Sequence, residues 1–143
     1  MEPKELVLLY GLPASLAEGD LVQNMLREAS IPMREVQPQE LGLPVGALAG
    51  LDAADSTPPM VEPFPISAMV FCGFSEQRLR EVLALLRESG IGASVLKAVL
   101  TIKNREWRFC DLMAELKKER EAFVKMMRAG PRDGLEQNAN EGT

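Results

Sequence analysis

Two apolar runs of strand length, each closed by a glycine, constrain the fold of this chain more than any other feature. The first run is Leu6–Tyr10, followed by Gly11, and the second is residues 66–72, followed by Gly73. An unbroken apolar run of this length is typical of a strand buried on both faces. A helical pattern begins a few residues after each glycine. The chain is therefore predicted to contain two central strands, each leading into a helix.

The same order of elements occurs twice along the chain. Tyr10-Gly11-Leu12 resembles Cys72-Gly73-Phe74, and residues 27–32 resemble residues 87–92. In each half a strand, a glycine, a helix and a more polar second strand follow one another. We interpret this as an internal repeat whose halves diverge after the second strand.

The repeat defines the predicted domain organisation. Residues 1–128 are predicted to form a single α/β domain made of two repeats, 1–50 and 66–128. Residues 51–65 between them are rich in proline and acidic residues, which is typical of a loop. Residues 129–143 lack a hydrophobic pattern and are predicted to be a disordered tail.

Two four-stranded architectures place the two apolar strands at the centre of a sheet. The first is a doubly wound parallel sheet of strand order 2-1-3-4, with helices on both faces. The alternative is a ferredoxin-like α+β sheet, antiparallel and of order 4-1-3-2, with both main helices on one face. The apolarity of Leu6–Tyr10 on both faces favours the first, and the long connection between the repeats permits a crossover.

The composition of the chain excludes several classes of catalytic site and metal site. The chain has no histidine among its 143 residues, which excludes Ser-His-Asp and Cys-His catalysis and every histidine-containing zinc site. Its two cysteines, Cys72 and Cys110, lie far apart among apolar residues, so they are predicted to be buried reduced thiols. We predict neither a bound metal nor a cofactor.

The distribution of apolar and charged residues predicts a cytoplasmic protein. No apolar run approaches the ~20 residues that a membrane-spanning helix needs. Residues 1–5 are charged and do not have the layout of a signal peptide. We therefore expect no membrane association.

Gly11 and Gly73 are candidate anion-binding turns. A glycine between a strand and a helix lets the backbone approach a phosphate, and the helix N-terminus attracts anions. Neither is accompanied by the further glycines of a nucleotide-binding fingerprint. The geometry of the turn itself is therefore the favoured explanation for both glycines.

The densest polar and basic stretch, residues 97–107, lies between the last predicted strand and the last helix. Its candidate site residues are Lys97, Thr101, Lys103, Asn104 and Trp107, the single tryptophan of the chain. We expect this turn to bind a protein or a small anion, with Trp107 as an anchor. A structural interpretation stays open, in which Asn104 caps the last helix and Trp107 packs under the turn.

Charge is distributed unevenly along the chain. Residues 1–64 carry 3 basic and 10 acidic side chains, whereas residues 65–128 carry 12 basic and 8 acidic ones. The charges of the predicted helix 108–128 alternate in sign without aromatic residues between them, which argues against nucleic-acid binding. The apolar side of the same helix is a candidate interface for a homo-oligomer.

The second half resembles a family of small bacterial proteins classified only as a domain of unknown function, family 3783. The resemblance is carried by Phe71-Cys72-Gly73-Phe74-Ser75, by residues 96–101, by Asn104 and Trp107, and by residues 112–119. The first half is similar through Val45-Gly46 and Leu48-Ala49-Gly50. The resemblance implies a bacterial, cytosolic origin and supplies no activity.

Two functions remain as hypotheses. The first is a non-enzymatic binding or regulatory module that uses the 97–107 turn to bind a protein or a small anionic ligand. The second is a small enzyme acting on a phosphorylated or carboxylated metabolite, with Lys97 as an electrophilic or general-base group. The first is favoured because no catalytic group of residues is recognisable beside a concentrated polar turn.

Overall fold

The computed structural model describes residues 5–51, 66–90 and 95–129. Its strands and longer helices are β1 (Leu6–Tyr10), α1 (Ala17–Glu28), β2 (Met33–Glu35), α2 (Val45–Leu48), β3 (Ser67–Cys72), α3 (Glu76–Glu88), β4 (Val95–Val99) and α4 (Phe109–Ala129). Short 3₁₀ helices at Pro38–Glu40 and Asn104–Glu106 follow β2 and β4. All but the first residue of the predicted loop 51–65, and of the predicted tail 129–143, lies outside the described residues.

The chain forms two compact units, of which the second begins within α4. The first unit ends at Met113 and holds the sheet, and the second starts at Ala114. In the second unit, the described helix carries exposed apolar side chains: Phe123, Val124, Met126 and Met127. The homo-oligomer interface proposed for residues 108–128 stays a prediction. Within the described ranges, every helix is too short or too polar to span a bilayer.

The sheet has the predicted strand order, β2-β1-β3-β4, but its directions are mixed. β1 is parallel to β2, and β3 is parallel to β4, whereas the central pair, β1 and β3, is antiparallel. The prediction of an all-parallel sheet is therefore wrong at the centre. Each strand–helix–strand crossover fixes only the direction of its own two strands. The long connection between β2 and β3 leaves the relative direction of the two strand–helix–strand segments open, and local pattern carries no information about it.

The two long helices α1 and α3 share one face of the sheet. Their buried side chains form a single core with alternate residues of the central strands: Val7, Leu9, Val22, Leu26, Met69, Phe71, Val82 and Leu86. The doubly wound parallel arrangement is therefore unconfirmed, since the sheet is mixed and the two crossover helices share one face. Two right-handed crossovers in antiparallel units put their helices on the same side of the sheet. The ferredoxin-like alternative also predicted both main helices on one face of the sheet. Its strand order, however, is not found.

The opposite face of the sheet is covered by α2 and the first turn of α4. Tyr10 packs edge-on against Phe109, with ring centroids 6.0 Å apart. On β2, Arg34 Nη1 donates a hydrogen bond to the carbonyl oxygen of Leu48, at 2.6 Å. Leu8, in the central strand, is fully buried. Both faces of β1 are thus covered, which is the physical reason for its unbroken apolar sequence.

The central strands β1 and β3 pair around Leu8 and Val70. Leu8 pairs with Val70, Val7 with Phe71, and Leu9 with Met69. When the two halves of the sequence are aligned on Tyr10 and Cys72, Leu8 and Val70 hold the same position. The neighbouring pairs exchange positions around them. The register thus places the aligned residues Leu8 and Val70 opposite each other at the centre of the sheet.

The correspondence continues beyond the second strands, where the sequence suggested divergence. Gln37 and Thr101 each stand two residues after a strand, and each donates its backbone N–H to the side chain three residues later, Glu40 Oε1 or Asn104 Oδ1. Farther on, Val45 N donates to the Trp107 carbonyl oxygen at 2.9 Å, and Phe109 N donates to the Leu43 carbonyl oxygen at 2.8 Å. These bonds form a reciprocal pair. The starts of α2 and α4 are thus held together by two backbone hydrogen bonds.

Candidate functional site

A cleft of about 690 Å³ opens where β3 and β4 end, and we call it the candidate cleft. It is lined by Glu5, Leu51, Gly73, Phe74, Ser75, Val99, Leu100, Thr101, Ile102 and Arg105. β3 and β4 are parallel neighbours, so the turns that follow them meet at one edge of the sheet. The cleft therefore joins two features that the sequence singled out separately, the Gly73 turn and the 97–107 turn.

Gly73 turns the chain from β3 into α3 at the edge of the candidate cleft. Its φ of 75° lies in the left-handed region, which a glycine adopts without a steric penalty. Two residues later, Ser75 Oγ accepts a hydrogen bond from Arg78 N at 3.1 Å and so caps the helix. The cap already uses one of the amide donors at this helix N-terminus.

Gly11, which turns the chain from β1 towards α1, does not line the candidate cleft. Its φ is 71°, close to that of Gly73, but a Cβ atom there would lie 2.4 Å from the carbonyl oxygen of Ile66. Ser67 Oγ also donates to the Gly11 carbonyl oxygen at 3.0 Å. Close packing against the start of β3 therefore accounts for this glycine.

Asn104 shapes the turn that forms one wall of the candidate cleft. Its Oδ1 accepts from Thr101 N at 2.8 Å, while its own N donates to Thr101 Oγ1 at 3.0 Å. Its Nδ2 donates to the Val99 carbonyl oxygen at 3.1 Å. The expectation that Asn104 caps the last helix is wrong, because α4 begins only at Phe109. The side chain instead closes the turn that precedes that helix.

Trp107, Lys103 and Lys97 stand apart from the lining of the candidate cleft. Trp107 is half-buried, and its backbone joins the turn to the start of α2 through the bond from Val45 N. Lys103 is exposed on the turn. Lys97 lies in β4, where its Nζ donates to the Val95 carbonyl oxygen at 3.0 Å. Of the predicted residues in the 97–107 turn, Thr101 lines the cleft.

Four residues of this stretch line the candidate cleft without having been predicted as site residues: Val99, Leu100, Ile102 and Arg105. Ile102 is 88% exposed. Ile102 and Arg105 also line a second cleft of about 580 Å³ together with Pro44 and Glu106. An apolar residue inside a polar turn, outside any strand or helix pattern, was the signal that could have identified Ile102.

An ion pair neutralises the carboxylate that lines the candidate cleft. Arg78 Nε donates to Glu5 Oε2 at 3.1 Å, and both side chains are partly buried. Arg78 Nη2 also donates to the Ala29 carbonyl oxygen, at the end of α1, at 3.1 Å. Arg78 therefore ties the start of β1 and the end of α1 to α3. The other charged side chain of the lining is Arg105.

The two thiols differ in burial and lie outside both clefts. Cys72 is buried, as predicted, and this burial raises the pKa of its thiol to about 12. Cys110 is only partly buried; desolvation and the nearby Asp111 carboxylate raise its pKa. Among the residues that the structure describes, no three cysteine or acidic side chains lie close enough to hold a metal ion.

Replacing Asn104 with alanine is expected to lower the free energy of unfolding by about 1–2 kcal/mol. The substitution removes the two hydrogen bonds of the Asn104 side chain, to Thr101 N and to the Val99 carbonyl oxygen, each contributing ~1 kcal/mol or less. Urea denaturation measures the change. Asn24→Ala is the control, because the Asn24 side chain accepts a single exposed hydrogen bond from Arg27. Equal losses for the two variants would show that Asn104 does not shape the turn.

Residues 67–123 match the family model described as Domain of unknown function (DUF3783). The family that the second half of the sequence resembles is therefore confirmed over these residues, which run from β3 into α4. The matched stretch begins at residue 67 and so does not include Val45-Gly46 or Leu48-Ala49-Gly50. No curated protein matches the chain. No solved structure matches it either.

Proposed function

We propose that this chain is a non-enzymatic binding module that holds a protein partner at the candidate cleft. The observation that carries the proposal is the position of Ile102, an 88% exposed apolar side chain at the border of two clefts. A large apolar side chain so exposed gains free energy when a partner covers it. Residues of this kind are the usual central contacts of a protein–protein interface.

The lining of the candidate cleft favours a protein over a small anion. Five of the ten described residues that line it are apolar: Leu51, Phe74, Val99, Leu100 and Ile102. Two of them besides Ile102, namely Leu51 and Val99, are exposed. A small anion needs several convergent donors, whereas Ser75 Oγ already serves the helix cap. Apolar contact is therefore the main interaction that this surface supplies.

The turn is rigid enough to present Ile102 in one position. The three hydrogen bonds of Asn104 fix the backbone on both sides of Ile102. A turn that is already ordered loses less conformational entropy when a partner binds. The same network that gives Asn104 a structural role thus supports a binding role for its neighbour.

Lys97, on which the enzyme hypothesis depends, does not face this cleft. Its Nζ is engaged with the Val95 carbonyl oxygen of its own strand. No observation on the cleft favours the second hypothesis over the first.

The proposal is tested with a random peptide library displayed on phage and selected on the full chain. Peptides selected on the wild-type protein are expected to lose at least about tenfold in affinity for Ile102→Asp, since one central apolar contact accounts for a large share of binding. Binding is measured by fluorescence anisotropy with synthetic copies of the selected peptides.

The matched control is Leu21→Asp. Leu21 is 45% exposed on α1 and lines neither cleft, so this variant introduces the same change elsewhere. Thermal melting of both variants establishes that they fold. The proposed function fails if the selected peptides bind Ile102→Asp as tightly as the wild type, or if they bind Leu21→Asp equally weakly.

A further inference from the structure

We infer that the partner presents an acidic segment that crosses the turn between the two clefts, which we call the Ile102 ridge (residues 101–108). This inference rests on the proposed function and specifies the chemistry of the partner. The Ile102 ridge carries three basic side chains, Lys103, Arg105 and Arg108, and one acidic one, Glu106. Lys103 and Arg108 are exposed.

The net charge of the chain is negative, whereas the Ile102 ridge is basic. The chain as a whole has a formal net charge of −5, and residues 1–64 contain 10 acidic side chains against 3 basic ones. The net charge of the chain therefore repels an acidic segment at long range, whereas the basic side chains of the ridge attract it locally. Electrostatic complementarity of this kind sets the orientation and the rate of encounter more than the final affinity.

The two clefts define the path of the bound segment. Ile102 and Arg105 line both clefts, so a segment that occupies both passes over Ile102 and beside the Arg105 guanidinium. A guanidinium can hold a carboxylate through two parallel hydrogen bonds. The expected ligand therefore combines an apolar side chain with a carboxylate close by in sequence.

Recognition along the ridge is expected to depend mainly on side chains, because four of its backbone donors are already used within the turn. Arg105 N donates to the Thr101 carbonyl oxygen at 3.0 Å, and Trp107 N donates to the Asn104 carbonyl oxygen at 3.0 Å. Asn104 N and Thr101 N are bound within the turn. A small anion held by backbone amides is thus disfavoured here, and an acidic peptide met by long basic side chains is favoured.

The test examines the composition and the salt dependence of the peptides selected on the full chain. Acidic residues are expected to be enriched over the input library. The affinity of the selected peptides is expected to fall by about tenfold when the ionic strength rises from about 0.01 M to 0.15 M, which shortens the screening length from roughly 30 Å to 8 Å. Lys103→Glu, a change at an exposed position, is expected to weaken binding by a similar factor.

Lys117→Glu is the control for Lys103→Glu, because it changes the same charge on an exposed position outside both clefts. Arg105→Glu is a second variant that tests the guanidinium directly. The inference is overturned, and the proposed function survives, if the selected peptides are neutral or basic, or ignore salt and both ridge variants, yet still lose affinity for Ile102→Asp. Peptides that bind Ile102→Asp normally overturn both.

Discussion

Replacing Gly11 with alanine is expected to lower the free energy of unfolding by about 2–5 kcal/mol. The left-handed backbone conformation, with φ of 71°, costs an alanine ~1–2 kcal/mol. The new Cβ atom would lie 2.4 Å from the Ile66 carbonyl oxygen, and the backbone shift that relieves such overpacking costs a further ~1–3 kcal/mol. Domains of this size have a net stability of ~5–15 kcal/mol, so the loss is a large fraction of the whole.

Gly50→Ala separates the two causes. Gly50 has φ of 80°, but no atom lies within 4 Å of the position of its Cβ. This control should therefore show only the conformational cost, ~1–2 kcal/mol. Urea denaturation of both variants measures the difference. If the two variants lose the same stability, β1 does not approach the start of β3 as closely as the structure shows.

Replacing Phe109 with alanine is expected to lower the free energy of unfolding by about 3–5 kcal/mol. Phe109 is fully buried and packs against Tyr10 on the face of the sheet opposite α1 and α3. Truncation of a buried phenylalanine removes its transfer free energy and leaves a cavity. The substitution weakens the packing of the first turn of α4. The backbone of this turn is hydrogen-bonded to Leu43 beside α2. The second sheet face would therefore be only partly covered.

Phe123→Ala provides the matched control for this variant. It makes the same substitution in the same helix, at a side chain that is 57% exposed. Its expected cost is below ~1 kcal/mol, as for most surface substitutions. Denaturation curves that place the two variants at equal stability would contradict the covering of the sheet by the start of α4.

Most of the secondary structure could be predicted from the sequence because it depends on the local pattern of apolar residues. Leu6–Tyr10 was expected to be a strand from its apolar run, and it is β1. The helical spacing over 108–128 predicted α4, which spans Phe109–Ala129. Hydrophobic periodicity reports the face of an element that is buried, and that information lies within a few consecutive residues.

The relative direction of β1 and β3 could not be predicted from the sequence in the same way. Leu8 and Val70 meet across a long stretch of chain, and either direction of β3 would bury the same apolar side chains. The outcome depends on the path of the connection and on which helix faces fit together. Those are properties of the whole chain, and they leave no periodic signal in any single segment.

The sequence singled out the turn at which the candidate cleft lies, but it did not indicate which residues of the turn line the cleft. The 97–107 turn does lie at a cleft, yet Asn104 serves the backbone of the turn and Lys97 lies along β4. The convergence with Gly73 depends on β3 and β4 being parallel neighbours, which is a tertiary fact. Exposed Ile102 was not predicted because it lies in a polar turn, outside any strand or helix pattern.

The long chain separation between the paired strands β1 and β3 determines the expected order of folding. Each β-α-β unit closes a contact over a moderate stretch of chain, as between Val7 and Met33 or between Ser67 and Val95. The central pair instead joins residues from different halves of the sequence, such as Leu6 and Cys72. Contacts between distant residues incur the larger loop-closure entropy and slow the reaction. We therefore expect the docking of two largely formed halves to limit the folding rate of the chain.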